Sequence, residues 1–174
     1  VIAGALVCAR PDDFWTRIAR IRAAQGKILG PFEAFLLIRG MRTLDLRVRA
    51  QSVGALWLAQ QCAARDDVAQ TLYPGLPTHP GHAIAARQMQ GGYGGMLSIR
   101  VMGGAARAIA MAAGARLWKR ATSLGGVESL IEHRASIEGP SSPCPDDLLR
   151  LSVGLESPED LARDLFAALD AAKA

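Results

Sequence analysis

Two short runs alternate apolar and polar residues with a period of two: Leu97, Ile99 and Val101 against Ser98, Arg100 and Met102, and Leu149, Leu151, Val153 and Leu155 against Arg150, Ser152 and Gly154. A β-strand sends successive side chains to opposite faces, so each run predicts a strand with one buried face. Neither strand can bury that face alone, and a helical pattern follows each of them. Behind the first, Ala106, Ala110, Ala113 and Leu117 predict a helix with a small-residue face for close packing on a sheet. Behind the second, Ser157 is a cap, Pro158 a first-turn proline and Asp160 an N-terminal negative charge for a helix with Leu161, Leu165, Ala168 and Ala172 on one stripe. Val127 to Ile131 is a further candidate strand. The fold class is therefore α/β.

Upstream, the run Val1 to Val7 is short and apolar and predicts a buried strand of the parallel kind. It opens the chain without an initiator methionine, which leads us to expect further chain before it. Pro11, Asp12 and Asp13 start a helix with Phe14, Ile18 and Ile21 on one stripe, ending before Gly26. Pro31 opens a second helix reaching Ile38, and Thr43 precedes a long third one running to about Ala64, with Leu44, Val48, Ala55, Leu58 and Cys62 along it. After Arg65, Asp66 and Asp67 the composition turns to glycine, proline and short strands, so a boundary is expected there, between parts 1–65 and 66–174. The segment from Thr71 to His82 is turn-rich, and a helix from His82 to Met89 follows it.

Composition narrows the possibilities. A length of 174 residues can bury a real core without disulfide or metal, and 18 glycines with 9 prolines are too few for a low-complexity chain. No stretch approaches the roughly 20 apolar residues of a membrane span, and no secretory signal is visible. Three scattered cysteines, Cys8, Cys62 and Cys144, read as reduced thiols of a cytoplasmic protein. Twenty basic against 16 acidic residues leave a charge of +4, with Arg39, Arg42, Arg47 and Arg49 crowded together. Those arginines form either a solvated surface or an anion or partner contact, and a nucleic-acid-binding reading has no other support.

Local motifs name no reaction. Gly91 to Gly95 runs into a strand rather than into a helix N-terminus, so it lacks the context of a phosphate loop. His79 and His82 stand three apart with Pro80 between them and no third ligand near, so no metal site is expected. Two side chains keep two readings each. Arg150 lies on the polar face of a core strand, either as an ordinary solvent-facing arginine or as a guanidinium able to hold a carboxylate through two parallel hydrogen bonds. Ser123, before the Gly125-Gly126 turn, is either a capping hydroxyl or part of a site built at the end of an element.

Five separated blocks, in order, carry a resemblance: LGPFEAFLLIRGMRTLDLR (Leu29 to Arg47), YPGLPTHPGHAIAARQM (Tyr73 to Met89), GGMLSI (Gly94 to Ile99), SLGGVESLIEH (Ser123 to His133) and RLSVGLESPEDL (Arg150 to Leu161). Together they resemble the carboxyl-terminal part of the transsulfuration enzymes, the cystathionine γ-synthase and γ-lyase family of pyridoxal-phosphate enzymes in cysteine and methionine metabolism. The resemblance implies a fold-type-I transferase, with residues 1–65 as the tail of the large domain, including a long connecting helix, and residues 66–174 as a small α/β domain whose mainly antiparallel sheet is covered by helices. It also implies a cytoplasmic homotetramer without nucleic-acid or membrane partners, acting on amino-acid substrates by making or breaking C–S bonds.

In that family a lysine of the large domain holds pyridoxal phosphate as an imine. By resemblance this lysine would precede Val1, and Lys27, Lys119 and Lys173 match no such motif. No catalytic residue is therefore expected within the chain, which would be inactive alone, either awaiting the other half of the enzyme or acting only in folding or assembly. The resemblance assigns Arg150 to the substrate α-carboxylate, Ser123 to substrate and cofactor, and Leu124 to the substrate beside it. Thr122 stands where several γ-lyases have an acid, and Leu124 where β-lyases often have an aromatic, which leans toward a γ-synthase-like branch. Arg134 replaces a common proline, in a connection that looks shorter than usual.

Overall fold

A computed structural model describes residues 2–172; Val1, Lys173 and Ala174 lie outside the described residues. The chain forms two compact units that divide between Asp45 and Leu46.

The first unit holds α1 (Asp13–Ala24) and α2 (Pro31–Met41) and enters α3 (Leu44–Ala63). Helix α1 begins as its sequence dictates: the Asp12 carboxylate accepts the Trp15 amide at 2.8 Å, and Asp13 adds negative charge to the first turn. Pro31 opens α2, which continues through Gly40. The described part of the apolar run at the start is not a strand. Residues 2–7 have no regular secondary structure and are exposed, because among the described residues this unit contains no strand to pair with them.

The second unit takes the rest of α3 and, among the described residues, five strands. Its elements are β1 (Val68–Leu72), α4 (His82–Gln88), β2 (Met96–Val101), α5 (Gly104–Gly114), β3 (Lys119–Arg120), β4 (Leu130–His133), α6 (Arg134–Glu138), β5 (Leu148–Ser152) and α7 (Pro158–Ala171). The sheet order is β1-β2-β5-β4-β3, antiparallel throughout except for the short β3–β4 pair. The sheet is thus mainly antiparallel, as expected.

Strand β5 is central and sets the register, pairing Leu151 with Leu97 on one side and with Ile131 on the other. These residues, with Ile99 and Leu149, are buried together with Leu161, Leu165 and Leu169 of α7 and Met111 of α5. Burying such side chains supplies about 1.5–3 kcal/mol each. Trp118 joins the core without an orphaned indole, because its Nε1–H donates to the Leu161 carbonyl at 3.1 Å. The Leu161, Leu165, Ala168, Ala172 stripe is buried as its spacing predicts.

Three expectations are corrected. Helix α5 buries Ala108, Met111 and Ala112, whereas Ala106, Ala110 and Ala113 are exposed and Leu117 lies beyond the helix, also exposed. In a helix of small apolar residues the alanine spacing selects no face, and the larger Met111 decides which side turns inward. The fourth strand starts at Leu130 and not at Val127, because the Glu156 carboxylate binds the Ser129 amide at 2.9 Å and its hydroxyl at 2.8 Å, holding the preceding residues as a loop. In α3, Ala55, Leu58 and Cys62 are buried while Leu44 and Val48 are exposed. The second half of this helix therefore belongs to the core of the second unit, although the composition shift comes only after Arg65. Edge strand β1 shows no clean alternation in its sequence, and a register irregularity between Val68 and Gln70 explains why.

Asp67 ties the ends of this unit together. Its carboxylate accepts Arg65 at 2.8 and 3.0 Å and Arg107 at 2.9 Å, and Arg107 also donates to the Ala172 and Leu169 carbonyls at the end of α7. Arg65 lies over the Phe166 ring at 4.9 Å. The hydrogen bond from Arg65, against the opposing effect of burial and with further help from Arg107, holds the Asp67 carboxyl below its ordinary range. A lowered carboxyl contributes stability that is present above the unfolded pKa, about 4, and lost as pH falls through the folded value. Asp67→Asn is expected to lower stability at neutral pH and to flatten its fall below about pH 4, as read by urea midpoints across the acid range.

Candidate active site

On the face of the sheet opposite the buried leucines, Ser98, Arg150 and Glu132 stand in one cross-strand row, since Arg150 pairs with Ser98 on β2 and with Glu132 on β4. The Arg150 side chain is about one fifth exposed, at 21%. Its Nη1 donates to the Ser123 carbonyl at 3.2 Å and to Glu132 Oε2 at 3.3 Å. Among the described residues, Nε and Nη2 of Arg150 make no hydrogen bond. These two N–H groups form one edge of the guanidinium, the edge that can take a carboxylate bidentately.

Glu132 does not stand out in the sequence, yet it organises this region. Its side chain is only 4% exposed. Oε1 accepts the Thr122 hydroxyl, while Oε2 accepts Arg134 at 3.1 Å as well as Arg150. Burial disfavours the charged form, but the Thr122 and Arg134 hydrogen bonds, aided by Arg150, overcome it and hold the carboxyl below its ordinary range. A charged residue between Ile131 and His133 in a strand pattern is the available signal. Arg134, the position that departs from proline in the resemblance, opens α6 and bonds Glu132 and Glu138.

Ser123 and Leu124 lie on the exposed loop between β3 and β4, so the loop and β5 bring the sequence-predicted residues Ser123 and Arg150 into contact through the Ser123 backbone. The Ser123 hydroxyl makes no hydrogen bond among the described residues, and the Leu124 side chain is exposed. The loop itself is firmly held. The Gly125 amide donates to Ser152 Oγ at 3.3 Å, Gln51 Nε2 donates to the Gly126 carbonyl at 2.7 Å, and the Leu155 amide donates to the Val127 carbonyl at 2.8 Å. Gln51 is buried, so α3 reaches directly into the support of this loop. Gly154 allows the close approach: a Cβ there would collide with the Val127 carbonyl oxygen and stand 2.6 Å from the Glu128 carbonyl carbon.

Other candidates are placed elsewhere in structural roles. His79 Nδ1 accepts the Gly81 amide at 3.0 Å and His82 Nδ1 bonds the Pro74 carbonyl at 2.8 Å, and no metal-binding cluster occurs among the described residues. Burial pushes the Cys62 thiol up to about 12, which keeps it protonated and inert. Lys119 sits in edge strand β3, where its ammonium donates to the Arg116 carbonyl. No helix among the described residues is long and apolar enough to cross a membrane.

The arrangement thus offers an open guanidinium edge and a free hydroxyl, and no lysine among its residues.

The model of the family described as Cys/Met metabolism PLP-dependent enzyme matches residues 1–170. The chain is 46% identical to cystathionine gamma-synthase of Mycobacterium tuberculosis over 97% of its own length and 44% of that protein's. It is 40% identical to L-methionine gamma-lyase of Brevibacterium sandarakinum, again over 97% of this chain and 44% of the other. Among solved structures, cystathionine gamma synthase from Xanthomonas oryzae pv. oryzae in complex with cystathionine superposes with a TM-score of 0.77 and 46% identity, over 82% of this chain and 39% of that one. The chain spans less than half the length of these relatives.

Gly154→Ala is expected to lower stability by about 1–3 kcal/mol, the usual cost of forcing an atom into packed backbone. Urea denaturation monitored by tryptophan fluorescence reads this loss.

Proposed function

The chain belongs to the family of Cys/Met metabolism PLP-dependent enzymes, and on that premise we propose that it is the carboxyl-terminal part of a transsulfuration enzyme of the γ-synthase-like branch. Residues 1–65 form the tail of the large domain with its connecting helix, and residues 66–174 form the small domain. The observation that carries the reading is Arg150, whose Nη1 is held by Ser123 and Glu132 while its Nε and Nη2 edge is open.

That edge binds the α-carboxylate of an amino-acid substrate through two charge-assisted hydrogen bonds, fixing the substrate's orientation. The Ser123 hydroxyl positions substrate and cofactor beside it, and Leu124 borders the substrate's side chain. Thr122 spends its hydroxyl on Glu132, so the position that is acidic in several γ-lyases offers no carboxylate to the substrate. This supports C–S bond formation on a substrate such as that yielding cystathionine, with elimination as the alternative outcome. Pyridoxal phosphate, held by a lysine that the resemblance places upstream, would supply an electron sink beside these residues. The active protein is a cytoplasmic homotetramer.

Two measurements test the reading. In the enzyme that includes the upstream part, Arg150→Ala is expected to lower kcat/KM by about 10²–10⁴, since two hydrogen bonds to a charged group are worth about 1.5–3 kcal/mol each; an unchanged KM and kcat would exclude the role. The 174-residue chain mixed alone with pyridoxal phosphate is expected to retain no cofactor absorbance after desalting. A stoichiometric band that survives desalting would show that one of its own lysines is the anchor.

A further inference from the structure

We propose that Glu132 is the positioning residue for carboxylate recognition, selecting which edge of the Arg150 guanidinium faces the substrate; this rests on the reading of Arg150 given above. An arginine side chain on a sheet face has several torsions and five N–H donors, and only some orientations leave a complete fork open. Here one oxygen of a single buried carboxylate takes Nη1 of Arg150, together with the Ser123 carbonyl. With Nη1 occupied from two directions, the Nε and Nη2 pair is the edge left open.

The same carboxylate sets the loop. Its other oxygen accepts the hydroxyl of Thr122, the residue next to Ser123, so Glu132 fixes both the arginine and the backbone that carries the serine. Arg134 completes the cluster from the start of α6. Arg134 is also paired with Glu138, so the cluster of two guanidiniums and two carboxylates is balanced, and an incoming carboxylate is drawn by the open edge of Arg150 itself. A buried ion pair gains little stability over an apolar replacement of similar shape. What this arrangement delivers is orientation: the cross-strand pairing of Glu132 with Arg150 places the carboxylate beside the guanidinium whatever the loop does.

The test uses the complete cofactor-loaded enzyme and a non-reacting amino-acid ligand, compared with its α-carboxamide. Glu132→Ala is expected to lower the preference for carboxylate over amide at least tenfold, and Glu132→Gln, which keeps the volume and one accepting oxygen, by a smaller factor. If Glu132 acts through Arg150, adding either substitution to Arg150→Ala produces no further loss of preference. A carboxylate preference unchanged in Glu132→Gln or Glu132→Ala, or losses that multiply in the double variant, would overturn the proposal. Should Glu132→Ala fail to fold, Glu132→Gln and Thr122→Val decide it: the first must reduce the preference, while the second must leave the Arg150 fork working and alter only the Ser123 loop, read as a change in kcat larger than the change in KM. If Arg150→Ala alone leaves the preference intact, Arg150 is not the carboxylate site and the role of Glu132 falls with it, an outcome distinct from failure of the Glu132 variants alone.

Discussion

Strand β5 has Leu149 and Leu151 on one face and the Arg150 guanidinium on the other, and that alternation is the constraint from which both core and candidate site follow. Leu149 and Leu151 can be buried only if Arg150 points to the opposite face, since the side-chain period of a strand is two. A slip of one residue in the β2–β5 register would turn the arginine into the core and the leucines out of it. The pairing of Leu151 with both Leu97 and Ile131 prevents this by filling the interior from two sides. Hydrophobic burial thus fixes the position of a charged group that contributes little to stability itself.

Around that strand, polar groups hold connections that apolar packing cannot. The Asp164 carboxylate accepts the amides of Arg116 at 2.9 Å and of Leu117 at 2.8 Å, so the turn entering β3 is held by the helix it crosses. Glu156 does the same for Ser129, and Arg107 satisfies the last carbonyls of α7. Each places a charged side chain against backbone groups that would otherwise be left without partners, where a hydrogen bond is worth most. The loop carrying Ser123 and Leu124 is exposed in side chain but anchored in backbone, an arrangement suited to presenting a hydroxyl at a defined place.

Legibility in the sequence follows the contrast between neighbouring residues. Strands β2 and β5 are readable because Arg100 and Arg150 interrupt apolar positions, and α7 because Ser157, Pro158 and Asp160 mark its start before a regular stripe. In α5 the contrast is missing, and the alanine spacing points to the wrong face. The run from Ile2 to Val7 has hydrophobicity but no partner strand among the described residues, and composition alone does not reveal whether pairing is available. Of the site, Arg150 and Ser123 are visible, Arg150 from its place in the strand and both from the family resemblance. Glu132 is not, because its significance lies in a cross-strand neighbour 18 positions away rather than in its own segment.

The sequence by itself determined the α/β class, most helices and the two best strands, because these depend on residues close along the chain: caps, prolines and short periodicities. It also determined family membership, through blocks of residues spread in order across the chain. The tertiary structure alone decided which strand lies between which others, that α3 reaches from its own core into the loop before Gly126, and that one buried carboxylate holds Arg150 with one edge open. Those outcomes depend on groups distant in the chain competing for the same space and the same hydrogen bonds, and only the folded chain brings them within reach of one another.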